Sequence, residues 1–135
     1  MSAEPVGRPV PSILFVEDDA DVRALLELTL ARTGLQVLSA ATGAEGLQLA
    51  RDQRPDLVSV DLGLPDMAGA DLCRRLREFH TGPLVVVTAW ASTRASQEAV
   101  AAGADLVIGK PFHPKELRRD LCRALDWTDA GARPA

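Results

Sequence analysis

Acidic, hydroxyl and amino side chains stand at or just after the ends of four apolar runs in this 135-residue chain. The runs cover residues 13–16, 57–60, 84–87 and 106–108, and the polar residues that follow are Glu17, Asp18, Asp19, Asp61, Thr88 and Lys110. Clustered carboxylates repel each other, so they need a cation or a raised pKa. An all-oxygen cluster suits Mg²⁺. An aspartate flanked there by a lysine and a hydroxyl can act as a nucleophile and form an acyl phosphate.

Segments with helical spacing separate the apolar runs, and the whole pattern predicts a βα unit repeated five times. Apolar residues recur at helical spacing over residues 22–30, and Gly34 is predicted to close that helix from the C′ position. Thr42 and Glu45 form a capping-box pattern that predicts the start of the second helix. A weaker strand candidate lies between them at residues 35–40.

The continuous Val, Ile and Leu runs predict strands that are buried on both faces of a parallel sheet. Right-handed crossovers place helices on both sides of such a sheet. Five units are too few for an eight-fold barrel, so we expect an open doubly wound α/β fold. Its site lies outside the carboxyl ends of the strands. Neither a GxGxxG nor a GxxxxGK[ST] sequence occurs, which disfavours dinucleotide, flavin and nucleoside-triphosphate binding.

Composition limits the class of protein further. The chain has 15 basic and 19 acidic residues and a net charge of −4, so it lacks the basic excess typical of nucleic-acid binding. No apolar run approaches the ~18 residues of a membrane span. Cys73 and Cys122 are too few for a disulfide framework, and a cytoplasmic location is expected. We predict a flexible tail at residues 1–11, one domain at 12–127 and a C-terminal tail at 128–135.

Several of these residues also have a purely structural interpretation. Acidic residues favour a helix N-terminus, and Asp19 is predicted to be the N-cap of the first helix. Asp61 alone could simply begin a loop. Only two of the 15 basic residues are lysines, so a lysine at position 110 hints that the wide fork of arginine does not fit there. His80 and His113 are predicted to be exposed, and the two cysteines to be buried.

Over residues 11–127 the chain resembles the receiver domain of two-component response regulators. The resemblance rests on four segments that occur in order, each at a strand end: ILFVEDDADVR, PDLVSVDLGLPDMAGADLCRRLR, VVVTAW and GADLVIGKPF. It implies a flavodoxin-like (βα)5 fold with a five-stranded parallel sheet in the order 2-1-3-4-5.

The resemblance also implies a metal site for Mg²⁺ or Mn²⁺. Asp61 matches the phospho-acceptor of the family, which is also a metal ligand. Asp18 matches the direct acidic ligand, and Glu17 matches the acid that acts through water. Gly63 matches the position whose backbone carbonyl completes the site.

Two further residues match positions that contact the phosphoryl group. Thr88 matches the switch hydroxyl that moves onto this group, and Lys110 matches the lysine that binds it. The Lys110–Pro111 bond is typically cis in the family. The resemblance therefore implies that the chain catalyses only its own phosphorylation and dephosphorylation and is otherwise not an enzyme.

The implied partners are proteins. A histidine kinase or a histidine phosphotransfer protein would donate the phosphoryl group to Asp61. Phosphorylation would shift the face formed by the fourth helix, fifth strand and fifth helix, which would control binding of a downstream protein. No direct nucleic-acid contact and no membrane insertion are expected. Residues 128–135 are too few to fold, so we expect a single-domain signalling or phosphorelay protein.

The sequence departs from the family pattern at Val107, where an aromatic residue is usual. Gly63 and Trp90 occupy positions that flank the phosphoryl group, where one offers no side chain and the other a large one. Val107 and Gly63 motivate an alternative, a degenerate receiver that binds proteins independently of phosphorylation. A third hypothesis, an aspartyl-phosphate phosphatase, is disfavoured because Gly63 stands where a second acid would be expected.

Overall fold

A computed structural model describes residues 9–127, which form five strands alternating with five helices. In chain order the elements are β1 (Ser12–Val16), α1 (Ala20–Leu30), β2 (Gln36–Ala40), α2 (Gly43–Gln53), β3 (Leu57–Val60), α3 (Gly69–Arg77), β4 (Leu84–Thr88), α4 (Arg94–Ala101), β5 (Leu106–Gly109) and α5 (Pro114–Ala124). Residues 1–8 of the predicted N-terminal tail (1–11) and the whole predicted C-terminal tail (128–135) lie outside the described residues, and the domain boundaries stay predictions.

The five strands form one parallel sheet in the order β2-β1-β3-β4-β5. This confirms the predicted fold class and strand order. The chain reverses its direction of travel across the sheet after β2, so β1 and β3 become neighbours. The carboxyl ends of β1 and β3 therefore lie side by side at the switch point, where sites form in such sheets.

Alternation along the strands divides the core into two layers. In β1, Ile13 and Phe15 belong to the cluster that contains the buried residues of α1 and α5. Leu14 and Val16 belong to the other cluster, which contains the buried residues of α2, α3 and α4. Successive strand side chains point to opposite faces, so both faces of the central strands are covered by helices. Every residue of β1, β3 and β4 is buried, whereas the edge strands β2 and β5 are partly exposed.

The end of α1 differs from the prediction. The helix ends at Leu30 with Ala31 as its C-cap, so Gly34 does not occupy the C′ position. Thr33, which is fully buried, takes over part of the helix closure because its hydroxyl donates to the carbonyl of Leu30 at 2.6 Å. Gly34 instead adopts φ +82° and turns the chain into β2, a conformation that glycine tolerates without strain.

Arg77, the last residue of α3, connects several segments at the amino-terminal end of the sheet. Its guanidinium donates to the backbone carbonyls of His80, Gly82 and Gly103 at 2.7–3.0 Å and to Asp105 at 2.7 Å. The same Asp105 carboxylate accepts from the backbone N–H of Leu84 at 2.9 Å. One side chain therefore links the end of α3 to the starts of β4 and β5.

The expectation that His80 is exposed is wrong, whereas His113 is exposed as predicted. The His80 side chain is only 8% exposed, and its Nε2 lies 2.9 Å from the carbonyl oxygen of Pro83. The turn after α3 folds back on the loop before β4, and this contact satisfies the imidazole inside the protein. Cys73 and Cys122 are both buried, as predicted.

Within residues 9–127, no helix combines the length and the apolar character needed to cross a membrane.

Candidate functional site

The ladders of the central strands continue past their ends and hold the first acidic residues in place. The backbone N–H of Glu17 donates to Ala40 at the end of β2, at 2.9 Å. The backbone N–H of Asp61 donates to Val16 at the end of β1, at 3.0 Å. Because these bonds fix the ends of neighbouring strands, Glu17 and Asp61 lie side by side where the chain leaves the sheet.

Three acidic side chains meet at this edge. One carboxylate oxygen from each of Glu17, Asp18 and Asp61 lies within 4.8 Å of the others. The Glu17 side chain is 4% exposed and that of Asp61 is 12% exposed, whereas Asp18 is open to solvent. The site therefore has two largely buried carboxylates, Glu17 and Asp61, and one that is accessible to solvent, Asp18.

Lys110 reaches the same cluster from the end of β5. Its Nζ lies 2.6 Å from Glu17 Oε1 and 3.5 Å from Asp61 Oδ2. The Lys110–Pro111 peptide bond is cis, in agreement with the resemblance, and the backbone N–H of Lys110 donates to the Thr88 carbonyl at 2.8 Å. The ammonium group therefore bridges the acids that follow β1 and β3.

Burial and charge pull the ionisation of this pair in different directions. Burial raises the pKa of Glu17, and its hydrogen bonds with Lys110 and with the backbone N–H of Asp19 only partly offset this effect. Burial alone would lower the pKa of Lys110, but the Glu17 hydrogen bond and the charges of Asp61 and Glu17 together raise it. Lys110 thus remains a cation, facing three acidic groups.

The carboxylates match the ligand preference of a hard divalent cation. Mg²⁺ is bound through one or two carboxylates, backbone oxygens and water. Three carboxylates faced by a single lysine retain excess negative charge, so a cation is electrostatically favoured between them. Glu17, Asp18 and Asp61 therefore fit the predicted metal site. Gly63 lies two residues after Asp61 in an exposed loop position.

Thr88 ends β4 with its side chain almost fully buried. Its hydroxyl oxygen accepts a hydrogen bond from the backbone N–H of Trp90 at 3.0 Å. The threonine is therefore held toward its own loop and lies on the strand between those that supply Asp61 and Lys110.

Trp90 lies beside the acidic cluster. A Cβ atom built on Gly63 would lie 3.5 Å from the Trp90 ring and 3.7 Å from Asp61 Oδ2. The indole thus occupies the space next to Gly63 that a larger residue 63 would fill, and it remains 49% exposed.

Two neighbours of the site have separate supporting roles. Asp19 caps α1, as predicted, by accepting from the backbone N–H groups of Asp21 and Val22. Arg23 was not predicted: its Nη1 donates to the backbone carbonyl of Glu17 at 2.7 Å. Arg23 stands one helical turn into α1, and no feature of its sequence context distinguishes it from a solvated arginine.

Comparison with known proteins identifies the family. The family model for the response regulator receiver domain matches residues 13–121, which span the sheet and most of α5. The chain belongs to this family. Receiver domains are parts of two-component response regulators, signal through phosphorylation and bind Mg²⁺ through acidic residues. They are not a catalytic family in the usual sense.

Curated relatives include longer regulators. The chain is 40% identical over 108 residues to the transcriptional regulatory protein AfsQ1 of Streptomyces coelicolor, covering 80% of this chain and 48% of that protein. It is 37% identical over 120 residues to the transcriptional regulatory protein KdpE of Mycobacterium tuberculosis, covering 89% and 53% respectively. The receiver chain therefore spans about half the length of these relatives.

Solved structures show the same fold. A CheY-like response regulator receiver domain protein from Methanospirillum hungatei superposes with a TM-score of 0.83 at 33% identity, covering 87% of this chain and 95% of that one. The chemotaxis response regulator CheY4 of Vibrio cholerae gives a TM-score of 0.78 at 30% identity, covering 86% and 99%.

Proposed function

We propose that this receiver accepts a phosphoryl group on Asp61 in a reaction that depends on Mg²⁺. The observation that carries the proposal is the convergence of Lys110 Nζ with the carboxylates of Glu17, Asp18 and Asp61 at the switch point of the sheet. This arrangement supplies a nucleophilic carboxylate, a cation for phosphoryl oxygens and a set of ligands for a metal.

The proposed step transfers the phosphoryl group between two proteins. An Asp61 carboxylate oxygen forms a bond to phosphorus while the bond from phosphorus to the donor's histidine nitrogen breaks. That nitrogen keeps the bonding electron pair, and the product is an acyl phosphate on Asp61. A histidine kinase or histidine phosphotransfer protein is the proposed donor.

The remaining residues stabilise charge during this step. Mg²⁺, when bound, would supply positive charge that neutralises the phosphoryl oxygens. Glu17, Asp18, Asp61 and the Gly63 carbonyl are the proposed set that holds it. Lys110, already 3.5 Å from Asp61 Oδ2, binds a phosphoryl oxygen.

Thr88 is the proposed link to the readout. When its hydroxyl turns onto the phosphoryl group, the hydrogen bond from Trp90 N–H is released. The change then reaches the loop before α4. As a result, the face formed by α4, β5 and α5 more often adopts the conformation that binds a downstream protein, one of two conformations already in equilibrium. Absence of direct nucleic-acid contact stays a prediction.

Intact-mass measurement after incubation with acetyl phosphate and Mg²⁺ tests the proposal. We expect one added phosphoryl group in the wild type, none after removal of Mg²⁺ with a chelator, and none in Asp61→Asn. Asp71→Asn, which changes an exposed aspartate on α3, is the matched control and should keep the adduct. An adduct that persists in Asp61→Asn would contradict the assignment.

The degenerate-receiver alternative rests on Val107, which is half-buried and packs against the core cluster of α2, α3 and α4. An aliphatic residue there lacks the ring that the family uses for readout. The mass experiment separates the two functions, because a degenerate receiver would show no adduct on Asp61.

A further inference from the structure

The loop between β3 and α3 is attached to the amino terminus of α2 through Asp66. One carboxylate oxygen accepts from the backbone N–H of Gly43 at 2.8 Å, and the other accepts from that of Ala44 at 2.9 Å. Both bonds lower the pKa of Asp66, although the side chain itself is exposed to solvent. The carboxylate also lies at the positive end of the helix dipole, where an anion is favoured.

A second contact joins the same two segments. A Cβ atom on Gly43 would lie only 2.7–3.0 Å from three side-chain atoms of Met67. The methionine therefore lies directly on the backbone of the first residue of α2, and a larger residue at position 43 would displace its side chain. Asp66 and Met67 thus attach the loop at one place by polar and apolar contacts together.

The side chains of α2 itself leave these donors unpaired. Thr42 accepts from the N–H of Glu45, and Glu45 reaches back to the N–H of Ala41. The first N–H groups of a helix have no partner within the helix. Asp66 supplies the acceptors for the two at Gly43 and Ala44.

This attachment links the two segments that supply the acidic cluster, one carrying Asp61 and the other adjoining Glu17. The segment that begins α2 follows β2, whose last residue Ala40 accepts the backbone N–H of Glu17. The loop that contains Asp66 begins at Asp61 and includes Gly63. Asp66 therefore ties the segment carrying Asp61 and Gly63 to the strand that holds Glu17.

Resting on the proposed function, we propose that Asp66 is a positioning residue for the cation and phosphoryl site. It fixes the loop that carries Asp61 and Gly63 against the β2–α2 segment, so that the ligands of the two segments face each other before a cation binds. It does not itself touch the cation or the phosphoryl group.

The test compares Asp66→Ala with Thr42→Ala. Both variants remove side-chain acceptors at the amino terminus of α2, but only the first releases the loop. Mg²⁺ affinity is measured by titration followed by tryptophan fluorescence, and the phosphorylation rate by intact mass with acetyl phosphate. Thermal unfolding identifies a temperature at which every variant is folded.

We expect Asp66→Ala to weaken Mg²⁺ binding about tenfold, the lower end of the effect of removing an outer support of a metal site. The phosphorylation rate at low Mg²⁺ should fall with it and recover at saturating Mg²⁺. Thr42→Ala should leave the Mg²⁺ affinity unchanged. Asp66→Asn keeps an oxygen for one of the two N–H groups and should lie between wild type and Asp66→Ala, which also covers the case in which Asp66→Ala does not fold.

Equal Mg²⁺ affinity in wild type and both Asp66 variants would overturn the inference, as would an equal loss in Thr42→Ala. Wild type measured in the same assay keeps the two proposals apart. If the wild type gains no phosphoryl group, the proposed function fails and this inference fails with it.

Discussion

At the amino-terminal end of the sheet, Arg77 donates to three backbone carbonyls and to Asp105, and that carboxylate accepts a backbone N–H in turn. At the carboxyl-terminal end, Lys110 faces Glu17, Asp18 and Asp61 with a single ammonium group. In the first network, the charge of Arg77 is paired with that of Asp105, and both side chains form hydrogen bonds with other groups of the protein. The second holds three carboxylates together with a single lysine, so their negative charge is only partly compensated.

The difference teaches where stability and binding capacity are located in this fold. Buried polar groups that are fully hydrogen-bonded stabilise a particular arrangement of the chain. Like charges held close together oppose folding unless an external partner compensates for them. The same scaffold thus holds its strand starts rigidly and presents reactive groups at its strand ends.

The largest loss of stability is expected at the amino-terminal end. Arg77→Ala removes four hydrogen bonds and leaves carbonyl groups without partners, so we expect the free energy of unfolding to fall by on the order of 3 kcal/mol. Urea unfolding measures this, with Arg75→Ala as the control because Arg75 is an exposed residue of the same helix. Added Mg²⁺ should not reduce the loss in Arg77→Ala.

A loss in Arg77→Ala that matched the control would contradict the division of roles between the two ends.

At the carboxyl-terminal end, Lys110→Met should cost about 2 kcal/mol, because it removes the charged hydrogen bond to the buried Glu17 carboxylate. Here Mg²⁺ should recover most of the loss, since it supplies positive charge to the same acids. Urea unfolding with and without Mg²⁺ measures both effects. Lys115→Met, at the only other lysine, is the matched control and should change neither.

The pH dependence of the Lys110→Met loss follows from the sign of the shifts. Burial raises the pKa of Glu17, and removal of Lys110 raises it further. As pH falls through this raised value, Glu17 takes up a proton and the unpaired charge disappears. Lys110 of the wild type stays charged throughout, because its pKa is raised. The difference between the proteins should therefore shrink toward acid pH, and a difference that grew instead would contradict an unpaired Glu17 charge.

The meeting of the acidic residues and Lys110 at one edge of the sheet could be predicted because each of them has a simple local signature, whereas their roles in metal binding and phosphoryl transfer stay predictions. Asp61 and Lys110 stand at the ends of apolar runs, and parallel strands bring such ends to one edge. The fold follows from the same pattern, since only an open sheet accommodates five βα units. The edge strand β2 was harder to predict, because partial exposure weakens its apolar signal.

Other features depend on contacts between distant segments and have no local signature. His80 is buried because the turn after α3 meets the carbonyl of Pro83, which no periodicity reveals. Asp66 stands in a loop of ordinary composition, and its role depends on the approach of α2 from 22 residues earlier in the chain. Gly34 shows the limit of a local rule, because the Thr33 hydroxyl closes α1 before the glycine is reached.

The smallest change in stability is expected at Trp90, which sharpens the contrast with Arg77. The side chain is 49% exposed, so Trp90→Ala should alter the free energy of unfolding by less than about 1 kcal/mol. Yet its ring lies close to Gly63 and Asp61, and we infer that it restricts the approach of water to the acyl phosphate. We expect the acyl phosphate on Asp61 to hydrolyse severalfold faster in Trp90→Ala, measured as decay of the phosphorylated mass after removal of the donor.

Trp90→Phe keeps an aromatic ring over Gly63 and should largely preserve the wild-type lifetime of the acyl phosphate. An unchanged or longer lifetime in Trp90→Ala would mean that the indole does not shield Asp61 from water. Its exposed half would then be better explained by contact with a partner protein. A short lifetime combined with little loss of stability would show that a large side chain at the carboxyl-terminal end contributes to the chemistry of Asp61 while contributing little to the fold.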